Sequence, residues 1–416
     1  MKKVAIVLFN LGGPDRLEAV EPFLFNLFND AAIIRVPQPF RWLIAKLVSR
    51  RRAPIARAIY AELGGGSPLV PLTEAQGRAL EGALAGGETE YRCFIAMRYW
   101  NPFAGEAAAA IKSWGADEIV LLPLYPQYST TTTQSSFRDW EQAAATAGLA
   151  VPAKAVCCYP AEEGFVAGYA RLLGEAIEAA GGPDGVRVLF SAHGLPKKIV
   201  AAGDPYPAQV EQSCAAIVAK LGIAGLDWLT CYQSRVGPLE WIGPSTDDEI
   251  RRAGAEGISL VVLPVAFVSE HSETLVELDK EYGKLAKESG VARYIRVPAL
   301  GVQPDFIAGL ARLVRAAEAS ATILCPADAA GHVCTAGAGL KTIGQRTRAE
   351  RCWIFSVAIT SGSRVCILFP SSSGWPAWLI CRGSSSIMPR RGPVPEPPRL
   401  SRSWSEGCSG ASSIRP

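Results

Sequence analysis

Short, almost uninterrupted apolar segments recur along the chain, and stretches with helical periodicity separate them. The apolar segments are residues 4–9, 91–97, 118–124, 186–190, 228–232, 258–267 and 294–297. Strands that are buried on both faces have this composition, and they occur in parallel sheets covered by helices on both sides. The pattern therefore predicts an α/β fold built on parallel sheets.

Two parts of the chain follow this scheme and resemble each other locally. Leu-Leu-Pro-Leu at residues 121–124 is similar to Val-Leu-Pro-Val at residues 262–265. We predict two doubly wound, Rossmann-like halves, residues 1–150 and 151–325, whose parallel sheets face one cleft. The alternative is that such short similarities arise by chance in any α/β chain.

Composition and charge narrow the class of protein. The chain has 416 residues and a net charge of +3, which is too small to indicate a nucleic-acid partner. The apolar segment at residues 4–9 lacks a cleavage site and predicts a first strand, not a signal peptide. No stretch approaches the ~18 apolar residues that span a bilayer. We therefore expect a cytoplasmic protein with scattered, reduced cysteines.

The character of the sequence changes near residue 341. Residues 341–416 are rich in Ser, Arg, Pro, Trp and Cys and show no periodicity. Such composition predicts disorder. We interpret this tail as aberrant, the product of a gene read out of frame, and assign it no function; an intact reading frame on resequencing would refute this hypothesis.

A basic and apolar segment lies in the first half. Residues 36–52 mix Trp42, Leu43 and Leu47 with Arg50, Arg51 and other basic residues. Such a segment can cover an apolar ligand or lie on anionic lipid. An ordinary amphipathic helix with a solvated basic face is an equally good interpretation.

Two of the three histidines follow apolar segments. His193 comes after residues 186–190, where Gly194 and Pro196 end the predicted strand, and His271 comes after residues 258–267. The carboxyl ends of parallel strands are where ligands bind in open α/β sheets. We therefore expect the two imidazoles to share one site.

Three carboxylates accompany His271. At helical spacing, Glu270, Glu273 and Glu277 share one face, and like charges so close raise at least one carboxyl pKa. A solvated acidic first turn, stabilised by the helix dipole, explains the same pattern. An imidazole facing carboxylates suits general acid–base catalysis or transient metal handling.

Other common sites are not indicated by the sequence. No Gly-Lys-Ser/Thr follows the glycines at residues 64–66, and no Gly-x-Gly-x-x-Gly opens the first helix, which argues against nucleotide binding. The chain has no Gly-x-Ser-x-Gly elbow and no His-Glu-x-x-His motif, which argues against an acyl hydrolase and a zinc protease.

Several motifs, in order from about residue 4 to about residue 316, resemble the ferrochelatase family of class II chelatases. In the second half they are Phe-Ser-Ala-His-Gly-Leu-Pro at 190–196, Gly-Asp-Pro-Tyr-Pro at 203–207, Tyr-Gln-Ser-Arg-Val-Gly-Pro at 232–238, Trp-Ile-Gly-Pro at 241–244 and Phe-Val-Ser-Glu-His-Ser-Glu-Thr-Leu at 267–275. In the first half they are Asn-Leu-Gly-Gly-Pro at 10–14, Gly-Gly-Gly-Ser-Pro at 64–68, Met-Arg-Tyr at 97–99 and Tyr-Pro-Gln-Tyr-Ser at 125–129.

The resemblance implies insertion of Fe²⁺ into protoporphyrin IX to give protohaem. By position in the motifs it assigns His193 and Glu273 to catalysis and metal contact, and Glu270 and Glu277 to a path for protons or iron. It also assigns residues 31–56 to a lip that covers the porphyrin and, in some members, touches the membrane. The residues it places around the porphyrin are Leu11, Arg51, Arg98, Tyr99, Trp241 and His271.

Some members of the family hold a [2Fe–2S] cluster on cysteines near the C-terminus. In this chain Cys325 and Cys334 have eight residues between them and Cys352 is distant, which is not a recognisable cluster spacing. Cys157 and Cys158 are interpreted as core residues. We therefore expect no cluster and no permanently bound cofactor, with Fe²⁺ as a substrate.

Three alternatives stay open at this point. The first is a chelatase that acts on coproporphyrin or inserts cobalt. The second is a porphyrin or haem carrier on the same fold, although binding alone needs neither His193 nor Glu273. The third is a defective product of a damaged gene.

Overall fold

The fold is taken from a computed structural model, which describes residues 1–235, 239–321 and 323–325. The predicted aberrant tail at residues 341–416 lies outside the described residues, as do Cys334 and Cys352.

Two parallel sheets organise the structure. Their strands are β1 (Lys2–Asn10), β2 (Thr89–Met97), β3 (Glu118–Pro123), β4 (Ala153–Val156), β5 (Val186–His193), β6 (Asp227–Gln233), β7 (Ser259–Pro264), β8 (Tyr294–Arg296) and β9 (Ile323–Leu324). The first sheet has the order β2-β1-β3-β4-β9 and the second has the order β6-β5-β7-β8. Strand β1 thus lies between β2 and β3, and β5 lies between β6 and β7 in the same relative order. This arrangement confirms the predicted pair of Rossmann-like halves.

Helices cover both faces of each sheet. They are α1 (Val20–Phe28), α2 (Phe40–Glu62), α3 (Leu69–Leu84), α4 (Ala104–Trp114), α5 (Thr133–Ala147), α6 (Glu163–Ala180), α7 (Lys197–Ala201), α8 (Tyr206–Leu221), α9 (Thr246–Glu256), α10 (Tyr282–Ser289) and α11 (Pro304–Ala319), with a π-helix at Glu273–Glu281. Helices α4 and α5 pack on the outer face of the first sheet, and α9 and α10 pack on the outer face of the second.

The apolar strands fill both faces because consecutive side chains of a strand point in opposite directions. In β1, Ile6 and Leu8 join the core between the two sheets, whereas Val7 and Phe9 pack toward α4 and α5. The inner core is shared by the halves, because α6 and α11 pack on each other between the sheets. One continuous core therefore joins the two sheets.

The sequence predicted a boundary between the two halves at residue 150, but the first sheet takes in strands that follow this residue. Strand β4 lies in the segment assigned to the second half, but it pairs with β3 in the first sheet. The chain then returns after α11 to place β9 beside β4. The segment at residues 153–156 escaped prediction because it has only four residues and contains Lys154.

Hydrogen bonds join the loops at the carboxyl ends of the two sheets. The buried Asp204 of the second half accepts hydrogen bonds from Ser129 Oγ (3.0 Å) and from the backbone N–H of Thr130 (2.8 Å). The Gln76 side chain of α3 donates to the carbonyls of Val268 and Gly301, both at 3.0 Å. These contacts bring the carboxyl edges of both sheets to one side of the molecule.

Across the described part of the chain, none of the helices combines the length and the apolar character that crossing a membrane requires.

Candidate active site

The site is built around the last residue of the central strand of the second sheet. His193 ends β5, and it lies in register with Gln233, the last residue of β6. A Cβ at the next position, Gly194, would lie 3.0 Å from the Gln233 carbonyl and 3.3 Å from the ring of Trp241. Glycine therefore lets the loop turn away and leaves the imidazole at the sheet edge.

His193 is paired with a carboxylate of the π-helix. Its Nδ1 lies 2.9 Å from Glu273 Oε2, and 40% of its side-chain surface is open. The π-helix is a rare conformation that occurs often at functional sites. Because Nδ1 is engaged by Glu273, the other ring nitrogen, Nε2, is the one that can meet a metal ion or accept a proton.

The contact between His193 and Glu273 shifts their two pKa values in opposite directions. Burial opposes charge on His193, but the Glu273 carboxylate outweighs it and raises the pKa of the imidazole. Burial would raise the pKa of Glu273, yet the adjacent His193 ring lowers it to about 2. The contact therefore favours the ionised carboxylate of Glu273 and makes the His193 imidazole a stronger base than an isolated one.

Glu277 lies one turn further along the π-helix. Its carboxylate accepts hydrogen bonds from Gln233 Nε2 (3.0 Å), from the backbone N–H of Ser234 (2.9 Å) and from Tyr282 Oη (3.3 Å). Burial and the negative charge of Glu273 together raise the pKa of Glu277. A carboxyl with a raised pKa beside an ionised one is suited to exchanging a proton.

His271 borders this pair without joining it directly. Its Nδ1 donates to the Ser269 carbonyl at 3.2 Å, its ring packs 4.6 Å from that of Phe267, and its Nε2 lies 3.9 Å from Glu273 Oε2. Burial lowers the pKa of His271. The structure therefore brings His193, His271, Glu273 and Glu277 together, with one imidazole protonated more readily than the other.

Glu270 does not share a face with the other two carboxylates, contrary to the expectation from helical spacing. It precedes the π-helix, and its carboxylate faces Arg296 at 2.9 and 3.1 Å and accepts the Ala299 N–H at 2.9 Å. Burial opposes ionisation, but Arg296 lowers the pKa of Glu270. A carboxylate that is held ionised in an ion pair is poorly suited to relaying protons.

Trp241 lies against the strand end that presents His193. Trp241 forms an isolated β-bridge with Pro196. Its indole Nε1 is buried without a hydrogen-bond acceptor among the described residues.

On the other sheet, Leu11 follows the end of β1, and its backbone N–H donates to Asn10 Oδ1 at 2.9 Å. The side chains of Leu11 and Trp241 are both partly exposed at the carboxyl edges, where an apolar ligand would lie.

Arg98 and Tyr99 follow β2 and are both bound by Asp30. Arg98 Nη2 and Tyr99 Oη donate to Asp30 Oδ2 at 3.0 and 2.9 Å. Tyr99 is only 1% exposed and packs beneath α1 and α2, so it supports the site from below. Arg98 keeps 20% of its side-chain surface open.

The predicted lip consists of a loop after α1 and most of α2. Arg51 is exposed on α2, which also exposes Phe40, Leu43 and Leu47. At the end of this helix, the buried Tyr60 hydroxyl lies near Ser272, the residue before Glu273. The helix α2 therefore reaches the start of the π-helix.

Three cysteine thiols converge at the edge of the first sheet. Cys157 Sγ lies 3.5 Å from Cys158 Sγ and 3.4 Å from Cys325 Sγ, and these sulfurs form a set that could hold a metal ion. The sequence predicts that Cys157 and Cys158 are core residues, and it gives no signal that Cys325 lies beside them. The convergence depends on the parallel pairing of β4 with β9, which no local pattern reveals.

Several residues of the site were not singled out from the sequence. Asp30, Tyr60, Tyr282 and Arg296 acquire their roles through partners that are distant along the chain. Gln233 lies within one of the family motifs, and its position directly after an apolar segment was the available signal.

Two Rossmann-like halves with an imidazole–carboxylate pair at a sheet edge define a chelatase-type enzyme that handles a metal ion. The ferrochelatase family model matches residues 3–318. A ferrochelatase of Caulobacter vibrioides is 56% identical over 316 residues, which cover 76% of this chain and 90% of that relative. One of Phenylobacterium zucineum is 59% identical over 311 residues, covering 74% and 90%. The chain belongs to the ferrochelatase family.

Among solved structures, SirB from Bacillus subtilis with Fe³⁺ aligns with 76% of this chain and 95% of its own. The TM-score is 0.44 and the identity is 14%, so this likeness supports no argument about function.

Proposed function

We propose that the chain is a lyase that inserts Fe²⁺ into protoporphyrin IX and releases two protons, the last step of haem synthesis. The observation that supports this most directly is the contact of His193 Nδ1 with Glu273 Oε2 at 2.9 Å, at the carboxyl end of β5. Family membership supplies the reaction class, and this pair supplies the chemistry that the reaction needs.

Metal insertion exchanges two pyrrole N–H bonds for bonds between iron and the ring nitrogens. The two protons therefore need acceptors near the porphyrin plane. His193 is the metal contact or the first proton acceptor, and Glu273 stabilises the positive charge that arrives in either case. Glu277, whose pKa is raised, then takes a proton onward toward Tyr282.

The porphyrin would lie between the two carboxyl edges. Leu11 and Trp241 offer apolar surface, and His271 lies beside the metal site. Arg98 and Arg51 offer cationic groups for the propionates. Glu270 is less well placed for the proton or iron path than the family resemblance implied, because Arg296 occupies its carboxylate.

The test is an anaerobic mixture of the purified chain with protoporphyrin IX and Fe²⁺, followed by absorbance. The four bands of the free-base porphyrin should give way to haem bands at a rate proportional to enzyme concentration. Parallel reactions with coproporphyrin and with Co²⁺ define the preferred substrate and metal. Porphyrin binding without conversion would contradict the proposal and favour a carrier.

We also propose peripheral contact of the lip with an anionic membrane. Leu47, Arg51 and Ile55 are spaced four residues apart on α2, and Leu47 and Ile55 are 61% and 68% exposed. An exposed apolar stripe beside basic residues is suited to the interface of anionic lipid. The chain would then be a cytoplasmic protein that visits the membrane surface.

Vesicle sedimentation tests this contact. The chain should pellet with vesicles that contain phosphatidylglycerol and not with pure phosphatidylcholine, and Leu47→Ser should weaken the binding. Val302→Ser is the matched control, because Val302 is also exposed but is not part of α2. Equal loss in both variants, or no pelleting at all, would contradict a role of the lip.

The reaction as proposed needs no permanently bound cofactor, because the His193–Glu273 pair and Glu277 supply its acid–base groups. Iron and acid-labile sulfide analysis of the purified chain tests this prediction. A stoichiometric iron–sulfur content would contradict it and would direct attention to Cys157, Cys158 and Cys325.

A further inference from the structure

Asp30 joins the lip segment to the end of a strand in the first sheet. It lies two residues after α1, at the start of the loop that leads into α2. Its Oδ2 accepts hydrogen bonds from Ser135 Oγ at 2.6 Å, from Tyr99 Oη at 2.9 Å and from Arg98 Nη2 at 3.0 Å. Its Oδ1 accepts the Ala32 N–H at 2.9 Å within the loop.

The side chain of Asp30 is well shielded and remains charged. It is 8% exposed, so its hydrogen bonds have little competition from water. Burial opposes ionisation, but the Arg98 guanidinium and the Ser135 hydroxyl hold the pKa of Asp30 below its ordinary value. Hydrogen bonds to a charged acceptor are stronger than those between neutral groups.

Arg98 has a second position available to it. The guanidinium borders a cavity of about 160 Å³ between the lip loop and α5, which Asp139 also lines, with its Oδ1 3.7 Å from Arg98 Nη1. Ser135 accepts from Arg98 Nε at 2.8 Å and donates to Asp30, so the serine links the two charges. Without Asp30, the guanidinium would have both the space and the counter-charge to turn toward Asp139.

We propose that Asp30 is a positioning residue for porphyrin binding. It holds the Arg98 guanidinium at the carboxyl end of β2 and ties the first residues of the lip to that strand end. This inference rests on the proposed function, since it takes Arg98 to meet the porphyrin. Asp30 itself touches no substrate in this arrangement, because it is buried beneath Arg98 and Tyr99.

Asp30→Asn removes the charge with little change of shape. We expect it to raise the KM for the porphyrin and its Kd, measured by quenching of tryptophan fluorescence, about tenfold, while kcat stays within about threefold. Asp139→Asn is the matched control, since it also removes a carboxylate facing Arg98 but leaves the lip contact intact, and it should change KM less than about threefold. Unchanged KM and Kd in Asp30→Asn would overturn the proposal.

A double-mutant cycle separates positioning from general damage to the fold. In an Arg98→Ala background, Asp30→Asn should have a clearly smaller effect on the porphyrin Kd than in the wild type, because the part of its influence that passes through the guanidinium is already lost. Independent, additive losses would overturn the proposal. Ser135→Ala is a milder second variant that keeps both charges, and its Kd should rise by about threefold.

The porphyrin Kd keeps this test separate from that of the proposed function. If the wild-type chain binds porphyrin but inserts no metal, the proposed reaction fails while the effect of Asp30→Asn on Kd still decides the role of Asp30. If the wild-type chain inserts iron and Asp30→Asn binds porphyrin normally, only the role of Asp30 fails.

Discussion

The carboxyl edges of the two sheets have the same topology and different chemistry. Strand β1 lies between β2 and β3, and β5 lies between β6 and β7 in the same relative order. The last residue of β1 is Asn10 and the last residue of β5 is His193, so both residues lie at a carboxyl edge. By alternation along each strand, Asn10 is on the side of β1 that faces the core between the sheets, whereas His193 is on the opposite side of β5.

The two strand-end residues also differ in chemical character. Asn10 is buried and neutral, donates to Thr73 Oγ1 at 3.3 Å and accepts the N–H of Leu11. His193 is open to the cleft and contacts the ionised Glu273. The first edge therefore stabilises its own loops, whereas the second presents an acid–base pair.

The comparison shows that the fold determines where a ligand binds and that the side chains at the strand ends determine what happens to it. The first half instead contributes a cationic group, Arg98, which is held by Asp30. A porphyrin between the edges would meet a binding wall on one side and a reacting wall on the other.

The largest effect is expected from His193→Ala. Metal insertion should fall by about 10³-fold or more, because the group that meets the metal or takes the first proton is lost. The change at the end of β1, Asn10→Ala, should cost about 1 kcal/mol of stability and leave kcat within about threefold. Absorbance assays of haem formation measure the activity of both variants, and urea denaturation measures their stability. Similar losses of activity in the two variants would erase the proposed difference between the edges.

Glu273→Gln is expected to be the next in size. It removes the charge beside His193 with little change of shape, so kcat should fall about 100-fold while the porphyrin Kd changes less than threefold. Kinetics and fluorescence titration check this split. Parallel losses in kcat and Kd would assign Glu273 to binding, and would place both functions on one wall.

Glu277 and Glu270 sharpen the comparison within the second half. Glu277→Gln should lower kcat about tenfold, since it removes a proton acceptor with a raised pKa. Glu270→Gln should leave kcat within about threefold but lower the free energy of unfolding by about 1–3 kcal/mol, because Arg296 loses one of its two carboxylate partners and keeps only Asp279. A large fall in kcat for a fully stable Glu270→Gln would restore Glu270 to the proton path.

The smallest effect is a pH dependence of stability at the binding wall. The pKa of Asp30 is lowered by folding, so its contribution is complete above the unfolded value of about 3.8 and is lost as the pH falls through the folded value. The difference in unfolding free energy between wild type and Asp30→Asn should therefore be larger at pH 7 than at about pH 3. Urea titrations at both values measure it, and a constant difference would show that the charge of Asp30 contributes nothing.

Local patterns were sufficient to predict most of the strands and the position of His193 at a strand end, whereas the pairing of His193 with Glu273 was implied only by the family resemblance. The predicted segment at residues 186–190 lies within β5, and His193 does end that strand. The apolar segment at residues 258–267 was predicted too long, since β7 ends at Pro264 and the following residues turn toward the π-helix. Apolar composition alone does not show where a strand leaves its sheet.

Contacts between distant residues could not be predicted in the same way. Glu270 was grouped with Glu273 by spacing, but Arg296, which is 26 residues further along the chain, decides its role. The family resemblance implied that Tyr99 lines the porphyrin, but Asp30, α1 and α2 cover it. In both cases a partner from another element decides the surroundings of the side chain.

The sequence by itself determined the fold class, the similarity of the two halves and the position of His193 at a strand end. These features depend on local signals: apolar strands that are buried on both faces, and the Gly and Pro residues that end a strand. Only the tertiary structure decided which carboxylate faces His193, which one is neutralised by Arg296 and how Asp30 holds Arg98. Electrostatic interactions depend on the distance between atoms in space, and that distance is set by the packing of elements that are far apart along the chain.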